Sequence, residues 1–230
     1  MFYSERHKCL LEFLQNNQSA TVHRLAKEFS ISESSIRRDL AVLEDMGKIR
    51  RTFGGAVINN AAEPEVSMQY RRSQNMQAKK QIAQQAVKHI RDGMMIFLDA
   101  SSTAAQIIPL LDQFADLTVV TNSPQAAVAL GEMQIRCICT GGRLLNQSMA
   151  FVGSHAIRCL EALQADIVFF SCRGFSEKVL SDSLEDEVEL RQAMLHSARK
   201  KIFLCDTSKH NKTYPYRLCL LEDLDEMITE

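Results

Sequence analysis

The feature that most constrains this chain is a pair of short helical patterns followed at once by a basic hairpin. Apolar residues recur three and four positions apart in residues 22–29 and again in residues 36–43. Ser32, a favourable N-cap, comes directly before the second pattern. Two short helices that meet across the turn at residues 30–32 indicate a helix-turn-helix.

The second helix is expected to present a polar face opposite its apolar stripe. At about 100° per residue, Ser34, Arg38 and Ala41 lie on that face, with Ser35 and Arg37 on its flanks. Small residues let a helix approach the major groove of DNA, and guanidinium groups bind guanine edges or phosphates. From the helices alone, an ordinary helical hairpin with solvated arginines is an equal alternative.

The hairpin after the second helix favours the DNA-binding alternative. Strand-like runs at residues 48–52 and 56–58 flank a glycine pair that permits a tight turn. A basic hairpin beside a helix-turn-helix is typical of a wing that lies along the DNA backbone, so we predict a winged helix. The candidate DNA-binding residues are Ser32, Ser34, Ser35, Arg37, Arg38, Lys48, Arg50, Arg51, Gly54 and Gly55.

Composition excludes several other classes of protein. The net charge of the whole chain is −1, which gives no indication of a nucleic-acid partner. Residues 1–58 contain nine basic and seven acidic residues, so their net charge is +2. The DNA-binding interpretation therefore depends on where the charges lie. Seven scattered cysteines without a Cys-x-x-Cys spacing favour buried thiols over zinc ligands or disulfides. With no signal peptide or transmembrane stretch, we expect a cytoplasmic protein without metal, cofactor or membrane partner.

The remainder of the chain predicts an α/β fold. We assign residues 1–58 to the winged helix, residues 59–76 to a linker and residues 77–230 to a second domain. In that domain, continuous apolar runs alternate with amphipathic helices, which argues for a mainly parallel sheet with both faces covered. The predicted strands are 94–98, 117–120, 135–139, 167–170 and 201–205; the predicted helices are 66–91, 103–111, 124–130, 154–163 and 187–198.

Polar residues follow four of these strands, and ligands of open α/β sheets sit outside the carboxyl ends of strands. Hydroxyls and backbone N–H groups at a helix start suit a phosphate, and a lysine supplies the countercharge. Taken singly, each segment is more often a helix cap or a turn; together they predict a small-molecule site. Its candidate residues are Asp99, Ser101, Ser102, Thr103, Asn122, Gly141, Gly142, Asp206 and Lys209. Two interpretations stay open for Arg173, Asp182 and Glu187. They line the same site, or they lie in a surface loop and at the solvated start of a helix.

The whole chain resembles the DeoR family of bacterial sugar-operon regulators. In the N-terminal region the resemblance lies in Glu5-Arg6, Ser32-x-x-Ser35-Ile36-Arg37-Arg38-Asp39-Leu40, Leu43-Glu44, Gly47 and Arg51-Thr52-x-Gly54-Gly55-Ala56. Farther along it lies in Lys79-x-x-Ile82-Ala83, Gly93 to Thr103, Val119 to Ser123, Gly141-Gly142, Gly153, Gly174 and Asp206-x-Ser208-Lys209. The family usually has a His before the two wing glycines, whereas this chain has Phe53.

The resemblance implies a sensor domain related to ribose-5-phosphate isomerase and a phosphorylated sugar as effector. It implies that Ser101, Ser102 and Thr103 meet the phosphate with help from Lys209. Partners would be double-stranded operator DNA and further copies of the chain, in a dimer or tetramer. The segments 171–174 and 181–183 look like a branch that includes regulators of 6-deoxy-sugar operons such as fucose and rhamnose.

Three functions are weighed for this chain. The first is a transcriptional regulator of a sugar operon, more often a repressor than an activator in this family. The second is a sugar-phosphate isomerase with a fused DNA-binding domain, which would need a general base that the sequence does not display. The third is a DNA-binding protein that responds to no metabolite.

Overall fold

The computed structural model describes residues 3–59 and 66–230, and it forms two compact units, Met1–Arg71 and Arg72–Glu230. Part of the predicted linker, residues 60–65, lies outside the described residues. The remainder of the predicted linker includes helix α4 (Met68–Ser73). The division at residues 58 and 77 stays a prediction. Within the described residues, no helix is long and apolar enough to cross a membrane.

The first unit is a winged helix, as the sequence predicts. Its helices are α1 (Tyr3–Asn17), α2 (Val22–Phe29) and α3 (Glu33–Asp45), and its strands are β1 (Ser19–Thr21), β2 (Ile49–Thr52) and β3 (Gly55–Ile58). The strands form one antiparallel sheet in the order β1-β3-β2. Strand β1 is absent from the sequence-based prediction because three residues are too short to show a periodicity.

The core of this unit is built from the apolar stripes of all three helices. Leu10, Leu25, Ile36 and Leu43 are fully buried there. The buried carboxylate of Asp39 accepts two hydrogen bonds from Arg6, at 2.6 and 2.8 Å, and therefore ties α1 to α3. Burial alone would raise the pKa of Asp39, but the bonds from Arg6 and His7 outweigh it and lower that pKa.

The second unit is organised around a six-stranded sheet in the order β14-β12-β9-β4-β5-β6, in which all neighbouring strands are parallel. This arrangement confirms the predicted parallel α/β sheet. Its buried strands are mostly unbroken apolar runs, since both faces are covered. The strands are β4 (Met95–Leu98), β5 (Thr118–Thr121), β6 (Arg136–Cys139), β9 (Ala165–Phe170), β12 (Ala198–Leu204) and β14 (Glu226–Ile228).

Helices cover both faces of the sheet and small β elements extend it. The helices are α5 (Met76–Ala86), α6 (Pro124–Glu132), α7 (Ser154–Glu161) and α8 (Glu185–His196). The small strands are β7 (Arg143–Leu145), β8 (Ala150–Val152), β10 (Gly174–Phe175), β11 (Val179–Asp182) and β13 (Tyr216–Leu220). Strands β7 and β8 pair as a hairpin, and β10, β11 and β13 form an antiparallel sheet. The sequence-based prediction contains none of these five.

Two local expectations are wrong in detail. The predicted helix at 103–111 is a 3₁₀ helix, Ala104–Gln113, and it contains Pro109, which cannot donate an α-helical backbone hydrogen bond. Buried thiols are found at Cys172 and Cys205, but Cys139 is exposed. Strand β6 lies at the edge of the sheet and is incompletely covered, with Arg136 and Cys139 exposed at its two ends.

Candidate functional site

Helix α3 presents the polar face that the sequence predicts. The hydroxyl of Ser32 caps the helix by accepting a hydrogen bond from the backbone N–H of Ser35, at 3.3 Å. Ser32, Ser34, Arg37 and Arg38 are exposed, and Ser35 is half-buried. Because the opposite side of the helix is packed into the core, these side chains form the free face of the recognition helix.

The two arginines of this face differ in how strongly they are held. Arg37 makes a 2.8 Å ion pair with Glu33, one turn earlier on the same helix. This hydrogen bond is the main reason why the pKa of Glu33 is lowered. Arg38 makes only a 3.3 Å hydrogen bond to the hydroxyl of Ser35. Each arginine uses one nitrogen in these bonds, but the longer bond to a neutral group holds Arg38 less strongly.

Backbone geometry explains why both residues 54 and 55 of the wing are glycine. Strands β2 and β3 pair Thr52 with Gly55, so Phe53 and Gly54 form a two-residue turn. Gly54 has φ of +84°, which side chains rarely adopt. A Cβ on Gly55 would lie 2.4 Å from the carbonyl oxygen of Ala20. These roles explain both glycines by backbone geometry, and a DNA contact from either stays a prediction.

The wing is fixed to the recognition helix by one carboxylate. Glu44 of α3 accepts a 2.6 Å hydrogen bond from the Arg51 guanidinium and a 2.7 Å bond from its backbone N–H. Lys48 and Arg50 are exposed and make no ion pair within the part of the chain that the structure describes. The wing therefore offers two free cations, while Arg51 also has a structural role.

In the second unit, the carboxylate of Asp99 joins the carboxyl ends of two strands. One oxygen accepts a 3.1 Å hydrogen bond from the backbone N–H of Ser101. The other accepts bonds from the backbone N–H of Ser171, at 3.2 Å, and from Nε of Arg191, at 3.0 Å. With its oxygens so occupied and its side chain buried, Asp99 shapes the loop after β4.

Asn122 joins a third strand end to the same loop. Its amide oxygen accepts a 2.8 Å hydrogen bond from the N–H of Ala100, and its amide nitrogen donates to the carbonyl of Phe151 at 3.1 Å. Phe151 returns a 2.8 Å bond from its N–H to the carbonyl of Asn122. The predicted site residue Asn122 is thus buried and holds the loops after β4 and β5 together.

Lys209 and Asp206 complete the group at the end of β12. The ammonium of Lys209 donates a 2.7 Å hydrogen bond to the hydroxyl of Ser171. Asp206 accepts hydrogen bonds from Ser208 and, at 3.0 Å, from Asn75. Burial would raise the pKa of Asp206, but the Ser208 bond, Lys209 and Asn75 together lower it. We call Asp99, Asn122, Ser171, Arg191, Asp206 and Lys209 the sheet-edge cluster.

The three hydroxyl residues after Asp99 are all buried but are used differently. The Ser101 hydroxyl accepts a 3.1 Å hydrogen bond from the N–H of Ala104, as a helix cap would. The Thr103 hydroxyl is fully buried and has no hydrogen-bond partner among the described residues. Buried hydroxyls are nearly always hydrogen-bonded, so the Thr103 hydroxyl is an exception that needs an explanation.

Gly141 and Gly142 follow β6, and both have a positive φ, of +64° and +112°. A Cβ on Gly142 would lie 2.6 Å from the carbonyl oxygen of Val152. This close approach of two backbones requires glycine at position 142. Backbone packing therefore explains Gly142, and a ligand contact from either glycine stays a prediction.

Arg191 is the main residue of this region that sequence reasoning missed. It donates to Asp99, to Asp182 at 2.9 Å and to Glu187 at 2.7 Å, and all four side chains are buried. Burial would lower the pKa of Arg191, but the three carboxylates raise it, so the guanidinium stays charged. The alternative that Asp182 and Glu187 belong to a solvated surface is wrong. The spacing of four residues between Glu187 and Arg191, which puts an acidic and a basic residue on one face of a helix, was the sequence signal for their ion pair.

Asn75, Ser171 and Lys79 were also missed as members of this region. Lys79 is buried in α5, and its charge helps to lower the pKa of Asp206. No group of three or more His, Cys, Asp or Glu side chains within residues 3–59 and 66–230 is arranged to hold a metal ion. The sheet edge brings together the carboxylates of Asp99 and Asp206, the ammonium of Lys209, the buried guanidinium of Arg191 and nearby hydroxyl and amide groups.

Comparisons with known proteins match each end of the chain to a family model. Residues 6–62 match the DeoR-like helix-turn-helix domain, and residues 74–230 match the DeoR C terminal sensor domain. A regulator of Bacillus subtilis, the uncharacterized HTH-type transcriptional regulator YulB, is 36% identical over 100% of this chain and 90% of its own length. The L-fucose operon activator of Escherichia coli is 30% identical over 98% of this chain and 94% of its own.

Solved structures of low sequence identity are similar in fold to part of the chain. eIF2B delta from Chaetomium thermophilum superposes with a TM-score of 0.50 and 16% identity, over 68% of this chain and 57% of that chain. A D-ribose-5-phosphate isomerase in complex with phospho-erythronic acid has a TM-score of 0.45 and 22% identity, over 59% of this chain and 54% of that one. The chain thus spans just over half the length of these solved proteins.

The family decides between the two main hypotheses. Both domain matches and the relatives are those of transcriptional regulators, and the winged helix carries the expected exposed basic face. The isomerase hypothesis is therefore not retained. This chain belongs to the DeoR family of helix-turn-helix transcriptional regulators and is not an enzyme.

Proposed function

We propose that this regulator binds the operator of a sugar-utilisation operon and that a phosphorylated sugar, bound at the carboxyl edge of the parallel sheet, controls its affinity for DNA. The observation that carries the proposal is the Thr103 hydroxyl, which is fully buried and without a partner among the described residues. A phosphate oxygen would satisfy that hydroxyl as an acceptor.

The surroundings of Thr103 support a phosphate rather than a neutral group. Ser102 is buried beside it in the loop that precedes the 3₁₀ helix. Lys209 is linked to the same loop through Ser171, whose N–H is bonded to Asp99. A cation and two buried hydroxyls at the start of a helical segment are elements of an anion site.

Sugar recognition is the finer part of the proposal. Asp206 and Asn75 lie beside Lys209 and bear the oxygen and amide groups that sugar hydroxyls bond to. The relationship to the L-fucose operon activator makes phosphorylated 6-deoxy sugars the first compounds to test. Repression relieved by the effector is the favoured sign of control, because relatives include the HTH-type transcriptional repressor GlcR of Bacillus subtilis and the "Putative aga operon transcriptional repressor" of Escherichia coli O157:H7.

Control of DNA affinity requires the effector to favour one arrangement of the two units over another. Helix-turn-helix proteins commonly bind paired half-sites as symmetric oligomers. We therefore infer a dimer or tetramer in which effector binding changes the placement of the winged helices. Operator DNA and sugar phosphates are both cytoplasmic, so we place the protein there.

The test is DNA binding at fixed salt with and without a panel of sugar phosphates that includes 6-deoxy sugars. The probe is a duplex that the full-length protein selects from a random pool. An effector that changes affinity tenfold supplies about 1.4 kcal/mol of coupling. We expect Thr103→Val, which removes only the hydroxyl, to raise the effector concentration for half response about tenfold or more.

Thr118→Val is the matched control. Thr118 is also a buried threonine, but it lies at the amino end of β5, away from the proposed site. The response to effector should be unchanged in this variant. Equal responses of Thr103→Val and the wild type would contradict the proposed phosphate position, and a panel without any active compound would contradict control by phosphorylated sugars.

A further inference from the structure

The turn of the wing carries the most exposed large apolar side chain of the described protein. Phe53 has a relative exposure of 111%, whereas the other exposed large apolar side chains in residues 3–59 and 66–230 reach at most 63%. A phenylalanine ring in water is unfavourable relative to a buried one. Its position at the outermost point of a functional hairpin therefore calls for an explanation.

The fold of the winged helix gives no reason for a phenylalanine here. The turn is formed by the positive φ of Gly54 and by the pairing of Thr52 with Gly55. The core of the unit is made by residues of α1, α2, α3 and the strands, and Phe53 is not among them. The ring is therefore free to contact something outside the domain.

The charges around Phe53 indicate what that contact is. Lys48 and Arg50 are exposed on the same hairpin and have no ion pair within the described part of the chain. Arg24 and Phe53 line a common cleft of about 340 Å³. A second copy of this basic hairpin would be repelled, whereas DNA has phosphates for the cations and deoxyribose carbons for the ring.

The turn is held in a fixed position relative to the recognition helix. The carbonyl of Gly54 accepts a 2.8 Å hydrogen bond from the N–H of Val22, the first residue of α2. Glu44 of α3 binds both the side chain and the N–H of Arg51. With α3 in the major groove, a wing so fixed meets the backbone and the adjoining minor groove.

We propose that Phe53 is a DNA-contacting residue whose ring packs against the deoxyribose wall of the minor groove beside the half-site read by α3. The minor groove is about 6 Å wide, which admits one aromatic ring, and Gly54 adds no side chain that would block entry. The contact is apolar, so it strengthens binding without releasing counterions.

The salt dependence of binding separates this contact from an electrostatic one. With the selected duplex and full-length protein, we expect Phe53→Ala to weaken binding about tenfold, while the slope of log K against log salt stays that of the wild type. Phe53→Leu should retain most of the affinity. Arg50→Ala should weaken binding and also reduce the slope by about one.

Hydroxyl-radical footprinting locates the contact, because the radicals attack deoxyribose hydrogens. Phe53→Ala should lose protection of the sugars that flank the half-site and keep protection within it. Val128→Ala removes another exposed apolar side chain, on α6 of the second unit, and should leave affinity and footprint unchanged. Circular dichroism should show equal melting of Phe53→Ala and the wild type, since the ring is not packed.

Three outcomes would overturn the proposal. The first is wild-type affinity in Phe53→Ala, and the second is a weakened complex with an unchanged footprint. The third is a change in sedimentation of the free protein with DNA affinity intact, which would assign Phe53 to contact between copies. None of these depends on an effector, so the proposal fails or stands separately from control by phosphorylated sugars.

Discussion

Replacing Arg191 by methionine tests whether the sheet edge is held by one buried guanidinium. Methionine has a similar length and flexibility but no charge and no N–H donors. The change removes hydrogen bonds of 3.0, 2.9 and 2.7 Å to Asp99, Asp182 and Glu187. It leaves three carboxylates without their common cation.

The expected magnitude follows from burial. The side chain of Arg191 is 7% exposed, and those of Asp99, Asp182 and Glu187 are 1%, 2% and 7% exposed. Removing one partner of a buried ion pair costs about 3–5 kcal/mol because the remaining charge is desolvated and uncompensated. Arg173 lies 3.6 Å from Asp182 and compensates only that carboxylate. We therefore expect a loss of about 3–5 kcal/mol in the free energy of unfolding.

The assay is urea unfolding of the full-length chain followed by far-ultraviolet circular dichroism, since the sequence contains no tryptophan. The matched control is Arg199→Met, which removes an arginine whose side chain is 73% exposed and lies 3.3 Å from Asp166. An exposed pair of this kind contributes about 0–1 kcal/mol. The control should therefore unfold almost as the wild type does.

A double variant makes the test sharper. Adding Glu187→Gln to Arg191→Met removes one of the uncompensated charges, so it should recover part of the lost stability. A loss below about 1 kcal/mol in Arg191→Met, similar to that of Arg199→Met, would refute the reasoning, because it would mean that the carboxylates are not confined to a dry environment.

Two further predictions concern the winged helix. Gly55→Ala places a Cβ 2.4 Å from the carbonyl oxygen of Ala20, so it should lower the free energy of unfolding by at least about 1 kcal/mol. Gly131→Ala in α6 is the control, because its Cβ would meet open space and the change should be neutral or stabilising. Equal melting temperatures of the two variants would contradict the clash. Asp39→Asn should cost about 1–3 kcal/mol. Burial would raise the pKa of Asp39, but the bonds from Arg6 and His7 lower it from its ordinary value of 3.8 in the folded chain. The difference in melting temperature should therefore be full at neutral pH and be lost progressively as the pH falls from 3.8 through the lower pKa of the folded state. A difference that persists below that range would contradict the ion pair.

Much of this protein was predictable from the sequence because the signals are local. Helices α2 and α3 follow from apolar residues at helical spacing, and Ser32 marks the start of α3. Gly54 marks the turn of the wing, because few other residues adopt positive φ there. The parallel sheet follows from continuous apolar runs between helices, which only a sheet covered on both faces tolerates.

The roles of individual side chains at the sheet edge were decided only by the tertiary structure. Asp99 and Asn122 are polar residues at strand ends, and the sequence does not show that their hydrogen bonds go to Arg191, Ala100 and Phe151. Arg191 and Asp99 lie 92 positions apart, so no local pattern relates them.

The same distinction explains the remaining differences between prediction and structure. Cys139 belongs to an apolar run, but its exposure depends on β6 being an edge strand, which is a property of strand order. Strand β1 exists because β3 provides a hydrogen-bonding partner for three residues that have no periodicity. The sequence by itself determined the helices, strands and turns that depend on residues a few positions apart. The tertiary structure decided which distant groups meet, since hydrogen bonding and burial depend on position in space.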